Sequence, residues 1–257
     1  MNLSDKKIVV TGAASGIGQA LLEQLLDIPN IQIVASDINN IDAQYPKNVI
    51  KHQGNIADAQ GIDGLFDFAC EHMGQIDVFI ANAGFAYYEK TEQEDWAHIE
   101  RIYACNTFSP IYTSHKMARI NAGREYGVMI TASFMGIYSL PGYSLYSATK
   151  AALLSWADAY RREKDDQGHI MMLCPVATKT HFFDTTAPVP WPSQTSKQVA
   201  SAALKGIQKN SHRIYPSKLS VLTLVLDWIM PLTMPIYKAI ETIKFKQWLN
   251  KGSHKTS

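Results

Sequence analysis

Cysteine is scarce in this chain and poorly placed for any staple. Cys70, Cys105 and Cys174 are odd in number and widely separated, which fits neither a disulfide framework nor the paired spacing of a zinc site. They read as buried, reduced thiols, and no metal is expected. An excess of one charge is also missing. Twenty-four Lys and Arg against 23 Asp and Glu leave a formal net charge of +1, without the concentrated basic face that a nucleic-acid partner needs. The start, MNLSDKKIVV, has no apolar segment of secretory type before its first predicted strand, so a cytoplasmic protein is expected. Tandem repeats, low-complexity blocks and linkers are lacking too, which predicts one principal domain. What remains is an ordinary folding composition, 46% hydrophobic and 18% charged over 257 residues. That is enough for one large α/β domain and too apolar for a disordered chain.

Apolar runs of strand length alternate with helix-length segments: KKIVVTG, QALLEQLLD, IQIVASD, a helix near residues 61–73, then IDVFIANAG. Short Ile/Val-rich strands separated by amphipathic helices predict a doubly wound parallel sheet covered on both faces. The pattern continues through a helix over about 92–118, the strand YGVMITAS, a helix beginning near Tyr146 and the strand HIMMLCPVAT. Pro188, Pro190 and Pro192 then break regular structure. Residues 181–197 are therefore predicted as a long loop at the carboxyl end of a strand, where α/β folds place substrate contacts.

In KKIVVTGAASGIGQALLEQL, Gly12, Gly16 and Gly18 stand between a strand and a helix. Glycine lets the backbone turn sharply and approach a pyrophosphate, and the helix N-terminus offers it free N–H groups. Asp37 ends the next strand about 20 residues on, the spacing of a ribose-binding carboxylate. A carboxylate there accepts from both adenosine ribose hydroxyls and repels a 2′-phosphate, which favours NAD over NADP. Further on, YSLYSATKAALLSW sets Tyr146 and Lys150 one turn apart on a single helix face.

Taken in order, these motifs resemble the classical short-chain dehydrogenase/reductase family from residue 7 to about residue 199. The matching elements are TGAASGIG at 11–18, Asp37, ANAG at 81–84, Asn106 in ACNTF, Ser133 in ITASFMG and YSATK at 146–150. The resemblance implies a Rossmann-type three-layer α/β/α fold. It also implies an NAD(P)-dependent oxidoreductase that interconverts a hydrophobic secondary alcohol and its ketone. On that basis Tyr146 is the acid/base, its ordinary pKa of about 10 lowered by the Lys150 ammonium and the nicotinamide charge. Lys150 would also bind the nicotinamide ribose, Ser133 would hold the substrate oxygen, and Asn106 would position a water in a relay to Lys150. The cofactor would lie along Gly12, Ser15, Gly16, Ile17 and Gly18, with Asp37 on the ribose, Asn55 and Ile56 at the adenine, and Asn82, Ala83 and Gly84 on the adenosine side. Tyr146, Lys150, Pro175, Thr178 and Thr180 would serve the nicotinamide end. Three positions depart from the family pattern: Val176 replaces a usual glycine after Pro175, Asn55 replaces a usual aspartate, and Ala81 replaces the first Asn of Asn-Asn-Ala-Gly. Phe134, Tyr138, Tyr143, Phe182, Phe183 and Trp191 flank the catalytic positions and suit an apolar substrate.

Many members of that family end in a strand and a glycine-rich tail; this chain ends in HRIYPSKLSVLTLVLDWIMPLTMPIYKAIETIKFKQWLNKG. Residues 1–211 are assigned to the nucleotide-binding domain, residues 212–257 to a helical extension packed on it, with a flexible tail over 251–257. Ser220, Thr223 and Asp227 form a polar stripe at i, i+3 and i+7 against an apolar remainder of Leu219, Leu222, Leu226 and Ile229. Lys238, Lys244 and Lys246 accompany Ile236, Ile240, Ile243 and Trp248. Three readings follow: packing on the domain or a second subunit, a peripheral membrane contact through 212–250 supported by the lysines and Trp248, and a true span, against which Asp227, Pro231 and Pro235 count. A homodimer through helices near 104–117 and 147–161 is expected, with the altered end weakening the case for a tetramer. A catalytically silent nucleotide-binding regulator, or a membrane-surface interaction protein on the same fold, stands as the alternative function.

Overall fold

The computed structural model describes residues 1–92, 94–179, 193–229 and 233–252. Its strands are β1 (Lys7–Thr11), β2 (Gln32–Asp37), β3 (Val49–Gln53), β4 (Val78–Ala81), β5 (Tyr126–Thr131), β6 (Gly168–Leu173), β7 (Ala177–Lys179), β8 (Ser193–Thr195) and β9 (Arg213–Ile214). Seven of them form one parallel sheet in the order β3-β2-β1-β4-β5-β6-β9, and β7 pairs with β8 separately. This is the doubly wound Rossmann order.

The central strands are Val/Ile-rich because both their faces are covered. In β1, Ile8 and Val10 point to one core with Leu21, Leu22 and Leu25 of α1 (Gly16–Leu25), while Val9 points to the other. That second core takes Phe66 of α2 (Ala59–Met73), then, past α3 (Trp96–Tyr103), Met117 of α4 (Ser109–Ile120) and Leu153 of α5 (Ser144–Glu163). Each fully buried Val, Ile or Leu contributes about 1.5–3 kcal/mol relative to exposure. Helix α6 (Ser196–Gln208) packs beside α1 on the first face through Val199, Ala200 and Ala203.

Several elements differ from expectation for identifiable reasons. The edge strand β3 was not foreseen, because Val49 is buried while Lys51 and Gln53 are exposed, so it lacks the apolar run of a central strand. The helix expected from 92 starts at Trp96, where Asp95 accepts from the His98 N–H at 3.0 Å, and a π-helical turn, Ala104–Phe108, separates α3 from α4. The final residues of the expected 181–197 loop are instead β8 and the start of α6. Thr195 and Gln198 form a capping box there, at 3.3 and 3.0 Å. The three prolines lie outside the described residues. The sheet also passes the boundary expected at 211, since β9 supplies its last strand.

The extension forms α7 (Lys218–Ile229) and α8 (Thr233–Gly252), bent 119° to one another. Helix α8 runs two residues into the expected tail, and residues 253–257 lie outside the described residues. Its Trp248, which the peripheral-membrane reading would turn outward, faces inward: it meets Tyr88 edge-on at 4.7 Å and stacks with Phe245 at 6.0 Å. Gly142 makes room for this packing. Its φ is +82°, and a Cβ there would lie 2.3 Å from the Tyr88 ring, so a side chain is excluded by both conformation and space.

Candidate active site

A cleft of about 650 Å³ opens at the carboxyl ends of the strands, where the order reverses between β1 and β4. Gly12 has φ +66°, and a Cβ on Gly18 would sit 1.9 Å from the Gly12 carbonyl oxygen. Helix α1 can therefore start against the end of β1 only with glycine at both places. Gly12, Ser15, Gly16 and Ile17 line the cleft; Gly18 does not, its part being this close packing. Ser15 makes no side-chain cap bond, and the N–H groups of the first helical turn have no intrahelical partners to serve. A glycine cradle beside a helix N-terminus fits a dinucleotide pyrophosphate.

Asp37 lines the cleft beyond the glycine turn. Its carboxylate accepts from the Ala14 N–H at 3.0 Å and the Asn39 N–H at 2.9 Å, which fixes it against the glycine turn. Asn55 and Ile56 line the same cleft, and the Asn55 Oδ1 already accepts from the Ala57 N–H at 3.0 Å. Asn82, Ala83 and Gly84 follow β4 and also line it. Asn82 is at the same time a structural tie. Its Nδ2 donates to the Thr11 and Gly12 carbonyls at 3.1 and 3.3 Å, and its Oδ1 accepts from Thr131 Oγ1 at 3.1 Å.

Ser133 follows β5, accepts from the Met135 N–H at 3.0 Å and hydrogen-bonds the Tyr146 phenol. Both side chains are buried and line the cleft. Burial pushes the Tyr146 phenol up to about 12, with the Ser133 hydrogen bond opposing the rise. The expected lowering by Lys150 is not found among the chain's own groups: the ammonium lies 5.7 Å from the Tyr146 ring centre, and desolvation outweighs it. Burial also pushes Lys150 down to about 8, and its Nζ donates to the Thr131 carbonyl at 2.8 Å.

Asn106 is fully buried in the π-helical turn, a distortion common at functional sites. Its Nδ2 donates to the Phe85 carbonyl at 2.8 Å and Thr149 Oγ1 at 3.3 Å, while its Oδ1 accepts from the Phe85 N–H at 3.1 Å. Neither Asn106 nor Lys150 lines the cleft directly. They converge behind Gly84, where an added Cβ would lie 3.0 Å from Asn106 Oδ1 and 3.5 Å from Lys150 Nζ. Pro175 and Thr178 also line the cleft, and Thr178 Oγ1 donates to the Val176 carbonyl at 3.0 Å. Thr180 lies outside the described residues.

A second cavity of about 220 Å³ adjoins the cleft, and Ser133, Met135, Pro175, Val176 and Ala177 line both. Val176, where glycine was expected, is thus a wall between the two. Phe134 and Tyr138 line this cavity. Tyr143 does not; it packs on Tyr88 at 4.8 Å and Tyr146 at 6.4 Å. Phe182, Phe183 and Trp191 lie outside the described residues. The outer wall, which sequence reasoning did not assign to particular residues, comes from the extension: Leu219, Ser220, Thr223, Met234 and Tyr237. Asp227 secures it, accepting from Tyr138 Oη at 2.9 Å and from the Met234 N–H at 3.3 Å. The signal was present in the Ser220, Thr223 and Asp227 stripe, whose polar side turns toward the cavity. Cys105 and Arg101 also line the cleft without having been singled out; Cys105 and Cys70 are only partly buried, while Cys174 is buried.

The oxidoreductase calM of Penicillium decumbens is 25% identical over 197 residues, 71% of this chain and 64% of that protein, so the match spans less than two thirds of that relative. A short-chain dehydrogenase/reductase of Burkholderia phymatum in complex with NAD superposes with a TM-score of 0.77 at 19% identity, covering 88% of this chain and 94% of that one. A short-chain dehydrogenase of Burkholderia cenocepacia in complex with NADP gives 0.78 at 18% identity, covering 91% and 97%. These structures establish the fold. The short chain dehydrogenase family model matches residues 6–189, and with the glycine turn and the strand order in place, the chain belongs to the short-chain dehydrogenase/reductase family of oxidoreductases.

Proposed function

We propose that this protein is an NAD-dependent oxidoreductase that interconverts an apolar secondary alcohol and its ketone. The observation that carries the reading is the hydrogen-bonded pair Ser133 and Tyr146 beside the junction between the nucleotide cleft and an apolar cavity. Gly12, Ser15, Gly16 and Ile17 would hold the pyrophosphate and Asp37 the adenosine ribose. The segment after Asp37, Ile38-Asn39-Asn40, carries no cation to receive a 2′-phosphate, which supports NAD over NADP. When bound, the nicotinamide supplies or accepts the hydride.

The chain's own residues manage the proton. A phenol held near 12 keeps its proton at neutral pH, which suits donation to a ketone oxygen held by Ser133 and Tyr146. The phenolate left behind is favoured by the Lys150 ammonium, itself oriented by the Thr131 carbonyl. Oxidation runs the same transfer backward, with the phenolate as base. Asn106 supports the arrangement by fixing the main chain at Phe85 and the start of α5. Two copies paired across α4 and α5 belong to the same reading, supported by the exposed Phe108 and Tyr112.

The test is NADH oxidation by the purified protein over aliphatic, aromatic and polycyclic ketones, with Tyr146→Phe alongside. Turnover reduced about 10²–10⁴-fold in the variant, with NADH still bound, is the expected result. Turnover that the variant leaves unchanged would overturn the mechanism.

A further inference from the structure

The outward side of the C-terminal helices carries side chains that a water-facing surface helix normally turns inward. Leu222, Leu226 and Trp228 of α7 and Ile236, Ile240 and Ile243 of α8 are exposed, Trp228 at 86%. Meanwhile Ser220 is buried and Asp227 is bonded to Tyr138. Exposed apolar side chains gathered on two successive helices mark an interaction surface.

Charge identifies the partner. Residues 212–252 contain two acids, Asp227 and Glu241. Asp227 is turned to the cavity wall, and Glu241 is buried and paired with Lys244 at 2.6 Å. The exposed charges of α7 and α8 are lysines, among them Lys218, Lys244 and Lys246. A second copy seated on this face would bring lysines to lysines, with no exposed acid on either side to answer them. An anionic bilayer answers both features: acyl chains receive the isoleucines and Trp228, and headgroups receive the ammonium groups. Among the described residues no single helix is long and apolar enough to cross a membrane; α7 and α8 reach that length and apolarity only as a pair, bent 119° to each other, and the pair carries Asp227, Glu241 and several lysines that a bilayer interior would have to accommodate.

We infer that α7 and α8 dock this protein on the surface of an anionic lipid bilayer. The docking stands independently of the proposed chemistry. It places the apolar cavity, walled by Leu219, Met234 and Tyr237, directly behind the lipid-facing helices.

The experiment is co-sedimentation of the full-length protein with phosphatidylcholine vesicles and with phosphatidylcholine–phosphatidylglycerol vesicles. Ile236→Glu/Ile240→Glu and Lys218→Glu/Lys246→Glu double variants run in parallel. Recovery about tenfold higher on the anionic vesicles is expected, lost in both variants while their circular dichroism and NADH binding match the parent. Trp228 emission should shift to the blue on those vesicles, and the shift should vanish in Trp228→Phe. Absence of sedimentation with either vesicle would overturn the inference, as would equal recovery on both. So would a parent oligomer, detected by light scattering, that Ile236→Glu/Ile240→Glu dissociates, since the face would then join two copies.

Discussion

The nucleotide cleft and the C-terminal helices approach Ser133 from opposite sides, and they are assembled in contrasting ways. On the nucleotide side the main chain does most of the shaping. Glycines let α1 close on β1, and main-chain carbonyls at Thr11, Ile80 and Thr131 accept from Asn82 Nδ2, Thr11 Oγ1 and Lys150 Nζ. On the other side no backbone contact is so tight. Side chains hold α7 and α8: Asp227 on Tyr138, and Phe245 and Trp248 on Tyr88. The first arrangement tolerates almost no change of residue type; the second leaves a wall whose composition can change while the catalytic pair stays put. On the proposed reading, cofactor geometry and substrate range would be carried by separable parts of the chain.

Five substitutions test that separation, from the largest expected effect downward. Lys150→Met should lower turnover about 10²–10⁴-fold and also change how stability depends on pH. Lys150 is depressed to about 8 in the folded protein from an ordinary 10.5. Between these values the unfolded chain holds the proton and the folded chain does not, so the parent should gain stability as pH rises through that window. Thermal unfolding followed from neutral pH to about pH 10 should show the gain in the parent and its loss in the variant.

Gly18→Ala should cost about 1–3 kcal/mol in unfolding free energy, read by urea titration, together with NADH affinity, because its Cβ meets the Gly12 carbonyl at 1.9 Å. Its counterpart on the other side, Gly142→Ala, should also destabilise, through its φ of +82° and the Tyr88 ring 2.3 Å from the new Cβ, but should spare NADH affinity. Loss of cofactor binding there would break the comparison. Asp37→Asn should narrow the preference for NADH over NADPH by about tenfold, measured as a ratio of dissociation constants, with the apolar cavity unaffected. Tyr138→Phe removes one hydrogen bond to Asp227, worth about 1 kcal/mol. It should raise KM for an apolar ketone a few-fold while NADH affinity stays at the parent value.

The same contrast explains what could be read in advance. Strands β1, β2, β4, β5 and β6 were legible because burial on both faces forces continuous apolar runs. Strand β3 alternates at an edge, and β9 is two residues long, too short to carry a period. Tyr146 and Lys150 share a face by helical geometry alone, so their neighbourhood was predictable. Their protonation was not, because it depends on a depth of burial that spacing does not encode. Asn106 could be located from its motif, yet its partner is main chain at Phe85, distant in sequence. For α7 and α8 the stripes were visible but not their orientation. A helix with two contrasting faces does not say which one meets the protein, and here Trp248 packs on Tyr88 while Trp228 is exposed.

Asn82 sits where the sheet's two halves diverge, and its single amide reaches β1 on one side and β5 on the other. Where strands fan apart, the gap between them would otherwise be free to breathe with every shift of the helices above. A cross-tie of fixed covalent length sets the gauge of that gap. The walls around a substrate can then be remodelled, or pressed by whatever meets α7 and α8, while the floor beneath the cofactor keeps its width.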